Sequence, residues 1–275
     1  MTALRYPAEH WIEEVRAVGV EYFDYWNDET AEEDKEWNIL DGDFAKMENY
    51  LQRTGLVSDL EQCLKAVAAE QGRALQGTGI DLAAGNLWAS RYLLAQPGVQ
   101  RLYCVEFSKH RLFKIGPLVL EHYQIPADKA VLVWGSFYDL RLEKGSLDFA
   151  FLSAALHHAD KPLELLRELK RVLKPGGVVL IIGEHRVGLR RIGKQFVKGF
   201  LARLPLAWQR RAFGRTFQRR SLNPRTLYFM DVEPRLGDHE YTVTAYRRLF
   251  AQAGFAMKHL DIPGSAYQSF LLENI

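Results

Sequence analysis

From residue 78 onward, the chain alternates short apolar runs with stretches of helical periodicity. The runs are "GIDLA" (79–83), "RLYCVEF" (101–107), "AVLVWG" (130–135), "SLDFAFLS" (146–153) and "GVVLIIGE" (177–184). Helices are predicted between them, near 87–94, 109–123 and 162–173. Nearly continuous apolar runs are typical of strands buried on both faces, and intervening helices are the crossovers that parallel strands require. The sequence therefore predicts an α/β fold built on a mostly parallel sheet.

The two ends of the chain extend this pattern. "TVTAYRRLFAQAGF" predicts a helix with Gly254 as its C-cap, followed by strands in "FAMKHLDI" and "AYQSFLLENI", which makes seven strands. Apolar residues at helical spacing from Glu9 to about Tyr25, and again from Phe44 to Glu70, predict an N-terminal helical cap. The predicted organisation is a cap over 1–75 and a main domain over 76–275.

The first strand runs into a tight turn, "GIDLAAGNLW" (79–88). In an open α/β sheet, ligands bind outside the carboxyl ends of the strands, and this first turn is a common ligand site. A turn that binds the pyrophosphate of a dinucleotide needs G-x-G-x-x-G, and only Gly85 is present here. An NAD-dependent dehydrogenase is therefore an alternative that the turn disfavours.

Four segments in order carry a family resemblance. "DLAAGNL" resembles the first motif of class I S-adenosylmethionine-dependent methyltransferases, with Ala83 and Leu87 in place of the outer glycines. "LYCVEFSKHRL", "WGSFYDL" and "SLDFAFLSAALHHADKPLELLRELKRVLKPGGVVLIIGE" are similar to later motifs of that family. The resemblance spans about 78–184 and the C-terminal tail. It implies a Rossmann-like seven-stranded sheet of order 3-2-1-4-5-7-6 with the last strand antiparallel, and a helical insertion before strand 6.

The same resemblance implies S-adenosylmethionine as cofactor and suggests which residues hold it. Glu106 corresponds to the acid that binds the ribose hydroxyls, where an ionised acceptor makes strong hydrogen bonds. Asp81 would reach the amino end of the cofactor, or would only cap a helix. The adenine would meet the Ser136 hydroxyl and the Phe137 ring. The full predicted set is Asp81, Ala83, Gly85, Asn86, Glu106, Phe107, Ser136, Phe137 and Ser153.

Methyl transfer to a hydroxyl needs alignment and a base, but no covalent protein intermediate. The candidate bases are histidines near strand ends: His158, which we favour, His185 and His239. An alternative is a divalent metal held by this region; its ligands would be His158, Glu184, His185, Asp238 and His239. The expectation is that no metal is needed.

The acceptor is predicted from a missing motif. Strand 4 ends in "SAALHH" rather than in the [ND]-P-P-[YF] with which many amino methyltransferases hold a planar nitrogen. A small-molecule acceptor is therefore expected, with oxygen slightly favoured as the methylated atom and no nucleic-acid partner. A methyltransferase-like protein that only binds or scaffolds is the non-enzymatic alternative.

The predicted insertion, about 186–236, is basic: no Asp or Glu occurs from Arg186 to Met230, whereas the first 75 residues are acid-rich. Two amphipathic helices broken at Leu204-Pro205 are predicted. The insertion could be a solvated lid whose charges meet the acidic region, a site for an anionic acceptor, or a contact with an anionic membrane through 186–220 that serves a lipid-linked acceptor.

Two features predict a cytoplasmic protein. Its two cysteines, Cys63 and Cys104, lack the spacing of a metal site or a disulfide framework. No apolar run approaches the ~20 residues of a membrane span, and the first residues carry charges where a signal peptide needs an apolar core.

Overall fold

A computed structural model describes residues 5–12, 42–187, 193, 197–198, 200–216, 222–223, 228–229 and 239–275. Its strands are β1 Ala8–His10, β2 Gly77–Leu82, β3 Val99–Glu106, β4 Ala130–Trp134, β5 Leu147–Ser153, β6 Leu173–His185, β7 Leu222–Asn223, β8 Tyr228–Phe229, β9 Phe255–Leu260 and β10 Tyr267–Asn274. Its helices are α1 Phe44–Thr54, α2 Leu56–Gln71, α3 Ser90–Leu94, α4 Gly116–His122, α5 Pro162–Val172, α6 Leu206–Phe213 and α7 Val243–Ala253. A π-helical turn, Arg111–Ile115, leads into α4.

The main sheet has the order β1-β4-β3-β2-β5-β6-β10-β9. All of its neighbouring pairs are parallel except those made by β10, which is antiparallel to both β6 and β9. The seven predicted strands therefore stand in the predicted order, and the α/β fold class is confirmed. The reversal of strand order at β2 and β5 opens a crevice at their carboxyl ends.

The eighth strand corrects the prediction at the N-terminus. Helical spacing predicted a helix from Glu9, but Ala8–His10 pairs with the edge of β4, placing Ala8 opposite Leu132. Trp11 follows with only 4% of its surface exposed, and its backbone N–H donates to the Trp134 carbonyl at 2.9 Å. The aromatic side chain is thus buried at a sheet edge and not along a helix. Residues 13–41, which include the rest of the predicted first helix, lie outside the described residues.

Both faces of the sheet are covered, which explains the apolar runs. Along β4, Val131 and Val133 pack on one face, whereas Ala130, Leu132 and Trp134 pack on the other. The first face is covered by α5 and α7, and the second by α2, α3 and α4. Period-two alternation therefore places every β4 side chain in one of two cores.

Several helix boundaries follow local signals. Thr242 caps α7, since its side chain accepts the Ala245 N–H at 3.2 Å, and Gly254 ends the helix at φ +83° as predicted. The helix predicted over 87–94 begins only at Ser90, because Leu87 still belongs to the turn. In the insertion, α6 begins after Pro205, and the short antiparallel pair β7 and β8 replaces part of the predicted purely helical segment.

Candidate active site

A cavity of about 470 Å³ lies at the carboxyl ends of β2, β3, β4, β5 and β6. Its volume falls within the roughly 300–1,000 Å³ typical of small-molecule sites. All nine residues that the sequence predicts to hold the cofactor line this cavity: Asp81, Ala83, Gly85, Asn86, Glu106, Phe107, Ser136, Phe137 and Ser153. The topology thus brings residues from four separate strand ends to one site.

The turn after β2 holds three residues in the left-handed region: Ala83 at φ +53°, Gly85 at +59° and Leu87 at +66°. These are the three positions where the methyltransferase motif has glycine. The backbone shape is therefore kept although two glycines are lost, at a cost of about 1–2 kcal/mol for each left-handed non-glycine residue. A Cβ added at Gly85 would meet no atom within 4 Å, so a side chain there would enter the open cavity.

The carboxylate of Glu106 ties β3 to this turn. One oxygen accepts the Gly85 N–H at 2.7 Å, and the other accepts the N–H groups of Phe107 at 2.9 Å and Ser108 at 2.8 Å. The side chain is buried and lines the cavity. Hydrogen bonds to an ionised acceptor are strong, so Glu106 both orders the glycine turn and presents negative charge to a ligand.

Asp81 is also buried, one strand away. Its Oδ2 accepts the Ser90 hydroxyl at 2.6 Å, which joins the end of β2 to the start of α3. Burial raises the pKa of Asp81 to about 7, the Ser90 hydrogen bond opposes this rise, and the nearby Glu106 charge adds to it. The donor is the Ser90 hydroxyl and not a backbone N–H, so Asp81 does not cap α3, and the same carboxyl borders the cavity.

The remaining polar groups of the cavity fit a nucleoside-like ligand. The Ser153 hydroxyl at the end of β5 is buried with no hydrogen-bond partner among the described residues. Beyond β4, the Ser136 hydroxyl accepts the Tyr138 N–H at 3.2 Å, and the Phe137 ring meets the Tyr138 ring edge-on at 4.7 Å. The cavity thus contains the unsatisfied Ser153 hydroxyl and the carboxyl groups of Asp81 and Glu106. Such groups suit a ligand that carries hydroxyl and amino groups.

A buried carboxylate organises the histidines at the ends of β5 and β6. Glu184 is fully buried; its oxygens accept the Leu156 N–H at 3.1 Å and the Tyr246 hydroxyl at 2.5 Å, and one lies 3.2 Å from His157 Nδ1. Burial raises the pKa of Glu184, but the charge and hydrogen bond of His157 and the Tyr246 hydrogen bond outweigh it, so the pKa is lowered overall. Glu184 therefore stays ionised against His157.

The three predicted bases are placed differently. His158 and His185 line the cavity. The centroid of the His157 ring lies 4.2 Å from that of His158 and 4.4 Å from that of His185. His239 is not on the cavity wall. Its ring Nε2 lies 3.1 Å from Asp160 Oδ1, and its backbone N–H donates to the His157 carbonyl at 2.8 Å. Burial lowers the pKa of His239 more than Asp160 raises it.

Sequence reasoning missed several residues of the cavity wall. Tyr50, Leu51 and Leu56 come from α1 and α2, while Arg111 and Tyr267 come from the π-helical turn and β10. None carries a motif; only their tertiary position brings them to the site. His157 was visible as half of the pair "HH", but the Tyr246 contact that marks its carboxylate partner had no signal in the sequence.

The metal alternative finds no support in the described part of the chain. Among those residues, no group of three or more His, Cys, Asp or Glu side chains is placed to hold a metal ion. Asp238, one of the five proposed ligands, lies outside them. Within the same residues, no helix is both long and apolar enough to span a membrane.

Residues 80–181 match the family model of the methyltransferase domain. No curated protein matches the chain. The fold is similar to a chain of the Haloferax volcanii complex that contains the Trm112 methyltransferase activator: TM-score 0.53, 17% identity, 92% of this chain and 97% of that one covered.

Two further solved structures share the fold. A SAM-dependent methyltransferase from Aquifex aeolicus has TM-score 0.52 and 16% identity, over 79% of this chain and 90% of that one. A SAM-dependent methyltransferase from Thermotoga maritima has TM-score 0.50 and 15% identity, over 88% of this chain and 100% of that one. At such low identity the likeness establishes the fold, and the matched domain identifies the chemistry.

Proposed function

The chain carries a class I methyltransferase domain whose cofactor is S-adenosylmethionine, and from this premise we propose that the enzyme methylates a hydroxyl group of a small molecule. One observation carries the proposal: the His157 imidazole, held by the buried Glu184 carboxylate, lies on the wall of the same cavity as the glycine turn. A carboxylate-oriented imidazole is a common general base. A hydroxyl acceptor has a proton to lose during methyl transfer.

The cofactor residues have distinct roles in this proposal. Glu106 accepts the ribose hydroxyls, Asp81 faces the amino end, and Ser136 with Phe137 holds the adenine. When bound, the cofactor supplies an electrophilic methyl group, so the protein's own contribution is positioning and proton removal. Gly85 leaves the room that the ligand needs, because a side chain there would enter the cavity.

His157 is the proposed base, in preference to His158. Its Nδ1 faces Glu184, so the acceptor proton is taken up at Nε2 as the acceptor oxygen forms its new bond. The resulting imidazolium is stabilised by the Glu184 charge, which the Tyr246 hydroxyl and the Leu156 N–H hold in place. Removal of one such base typically costs 10²- to 10⁴-fold in rate.

A small acceptor is supported by the shape and lining of the site. Aromatic side chains surround the cavity, and its volume of about 470 Å³ suits small ligands. A cytoplasmic location accords with two buried thiols, Cys63 and Cys104, that form no disulfide. Burial raises the pKa of the Cys63 thiol to about 11, which keeps this thiol protonated and unreactive.

The acceptor can be sought directly. The full chain is incubated with isotope-labelled S-adenosylmethionine and a panel of phenols, catechols, hydroxy acids and lipid-extract fractions, and products are read by mass spectrometry. We expect an O-methylated small molecule. Label recovered on nitrogen, on protein or on nucleic acid would contradict the proposal, even though the methyltransferase chemistry would stand.

The base can be tested once any acceptor turns over. His157→Gln should lower kcat at least ~100-fold, with S-adenosylhomocysteine binding unchanged. His158→Gln, the adjacent imidazole of the same cavity wall, is the matched control and should retain most of kcat. The reverse result would assign the base to His158.

A further inference from the structure

Exposed apolar side chains are concentrated in one short segment. Across the described residues, seven large hydrophobic side chains are exposed, and five of them lie within residues 197–213: Val197, Phe200, Leu206, Trp208 and Phe213. Each has between 44% and 67% of its surface in solvent. The Trp208 and Phe213 rings also meet edge-on at 5.7 Å. Solvent-exposed apolar clusters of this kind mark interaction surfaces rather than ordinary protein surface.

The same segment is strongly basic. Lys198, Arg203, Arg210 and Arg211 form no ion pair with any described residue, and no acid occurs in the sequence from 186 to 230. The overall net charge is only +2, so the positive character is local to this surface.

We propose that this surface, residues 197–213, docks on an anionic lipid bilayer. Aromatic and aliphatic side chains interleaved with Lys and Arg match a bilayer interface, where the rings enter the headgroup region and the cations meet anionic lipids. A nucleic acid would use the cations but would not explain the exposed Val197, Phe200 and Leu206. The inference goes beyond methyl transfer and does not depend on which acceptor is used.

The insertion that carries this surface starts and ends beside the candidate active site. The insertion leaves the sheet directly after His185, which lines the cavity. The last continuously described stretch begins at His239, whose backbone N–H donates to the His157 carbonyl at 2.8 Å. The proposed membrane surface therefore belongs to a segment that is joined at both ends to residues at or beside the cavity wall.

Vesicle flotation of the full chain tests the proposal. We expect no binding to phosphatidylcholine vesicles, and binding when about one third of the lipid is phosphatidylserine or phosphatidylglycerol, with steep loss at high salt. The double variant Arg210→Gln with Arg211→Gln should bind about 25-fold more weakly, at about five-fold per cation removed. Trp208→Ala should also weaken binding, because it removes an interfacial ring.

A charge-matched control separates this surface from overall charge. The double variant Arg141→Gln with Lys144→Gln removes two exposed cations that precede β5, at the amino end of this strand, whereas the cavity lies at the carboxyl ends. It should bind vesicles as the parent does. Retained S-adenosylhomocysteine binding in every variant shows that each is folded. The proposal is overturned by salt-insensitive or absent vesicle binding, by equal loss in the control pair, or by an oligonucleotide that binds this surface more tightly than the anionic vesicles do.

Discussion

Leu87 packs directly against Gly116. Leu87 stands at the third glycine position of the turn with φ +66°, is fully buried, and would lie 2.7 Å (Cδ1) and 3.0 Å (Cγ) from a Cβ built on Gly116. Gly116 itself has ordinary helical angles at the start of α4, where alanine would normally be favourable. The glycine missing from the turn is thus matched by a glycine on the helix that faces it.

This pair can be probed by stability. Gly116→Ala should destabilise the protein by about 1–3 kcal/mol, because the added methyl group overpacks against Leu87. In urea unfolding, the same substitution made in a Leu87→Ala background should cost less, since the clashing atoms are gone; Leu87→Ala alone should cost about 2–5 kcal/mol. A Gly116→Ala protein as stable as the parent would show that the contact relaxes freely.

Gly85 is expected to be the least replaceable residue of the turn. Gly85→Val combines a left-handed backbone with a β-branched side chain that enters the cavity, so S-adenosylmethionine binding should be abolished. Ala83→Gly is the matched control: it relaxes the backbone at φ +53° and should leave binding unchanged. Isothermal calorimetry measures both, and undiminished binding by Gly85→Val would overturn the assignment of this turn.

Glu106→Gln should weaken S-adenosylhomocysteine binding at least ~10-fold. The amide cannot accept on both sides, so it loses either the Gly85 N–H or the Phe107 and Ser108 N–H groups, and it removes the charge that faces the ribose. Glu164→Gln, an exposed acid on α5, is the control and should bind as the parent does. Equal affinities for all three proteins in calorimetry would mean that Glu106 serves only the turn.

The raised pKa of Asp81 predicts that the stability of the ligand-free protein depends on pH. Its pKa in the folded state is about 7, above its ordinary 3.8, so the folded protein binds this proton more tightly than the unfolded chain. The contribution of Asp81 to stability is therefore fully present below about pH 4 and is lost as the pH rises through about 7. The expected difference is a few kcal/mol.

Asp81→Asn isolates this effect. The unfolding free energy of the parent relative to Asp81→Asn should fall between about pH 4 and pH 7 and then level off. The comparison cancels the opposite trend of Glu184, whose lowered pKa favours the folded state at higher pH. A difference that stays constant with pH would show that Asp81 is ionised throughout in the folded protein.

Much of the fold was predictable because its signals are local. Strand after strand was located to within a few residues, since a strand covered on both faces must be apolar along its whole length. The C-cap at Gly254 was also a local signal. The first helix was predicted wrongly because a long-range contact decides the structure there. Aromatic residues around Trp11 follow a helical period, but Ala8–His10 pairs with the edge of β4 through backbone hydrogen bonds.

Some residues of the candidate site were likewise predictable from the sequence, whereas others needed the tertiary structure. Asp81, Gly85 and Glu106 were predicted from their resemblance to methyltransferase motifs, and the structure places all three on the wall of one cavity. The preference for His158 over His157 could not be decided there, because the two are adjacent in the chain. The contact of His157 with Glu184, 27 residues away, is the observation on which we propose His157 as the base.

The sequence by itself determined the parallel sheet, because periodicity acts over a few residues, and its resemblance to methyltransferase motifs implied the order of the strands and the position of the ligand-binding turn. The tertiary structure alone decided that Leu87 takes a left-handed conformation against Gly116, that a buried Glu184 orients His157, and that the cations of 197–213 stay unpaired among the described residues. Each of these depends on which distant groups share a space, and burial sets both the packing and the charge state there.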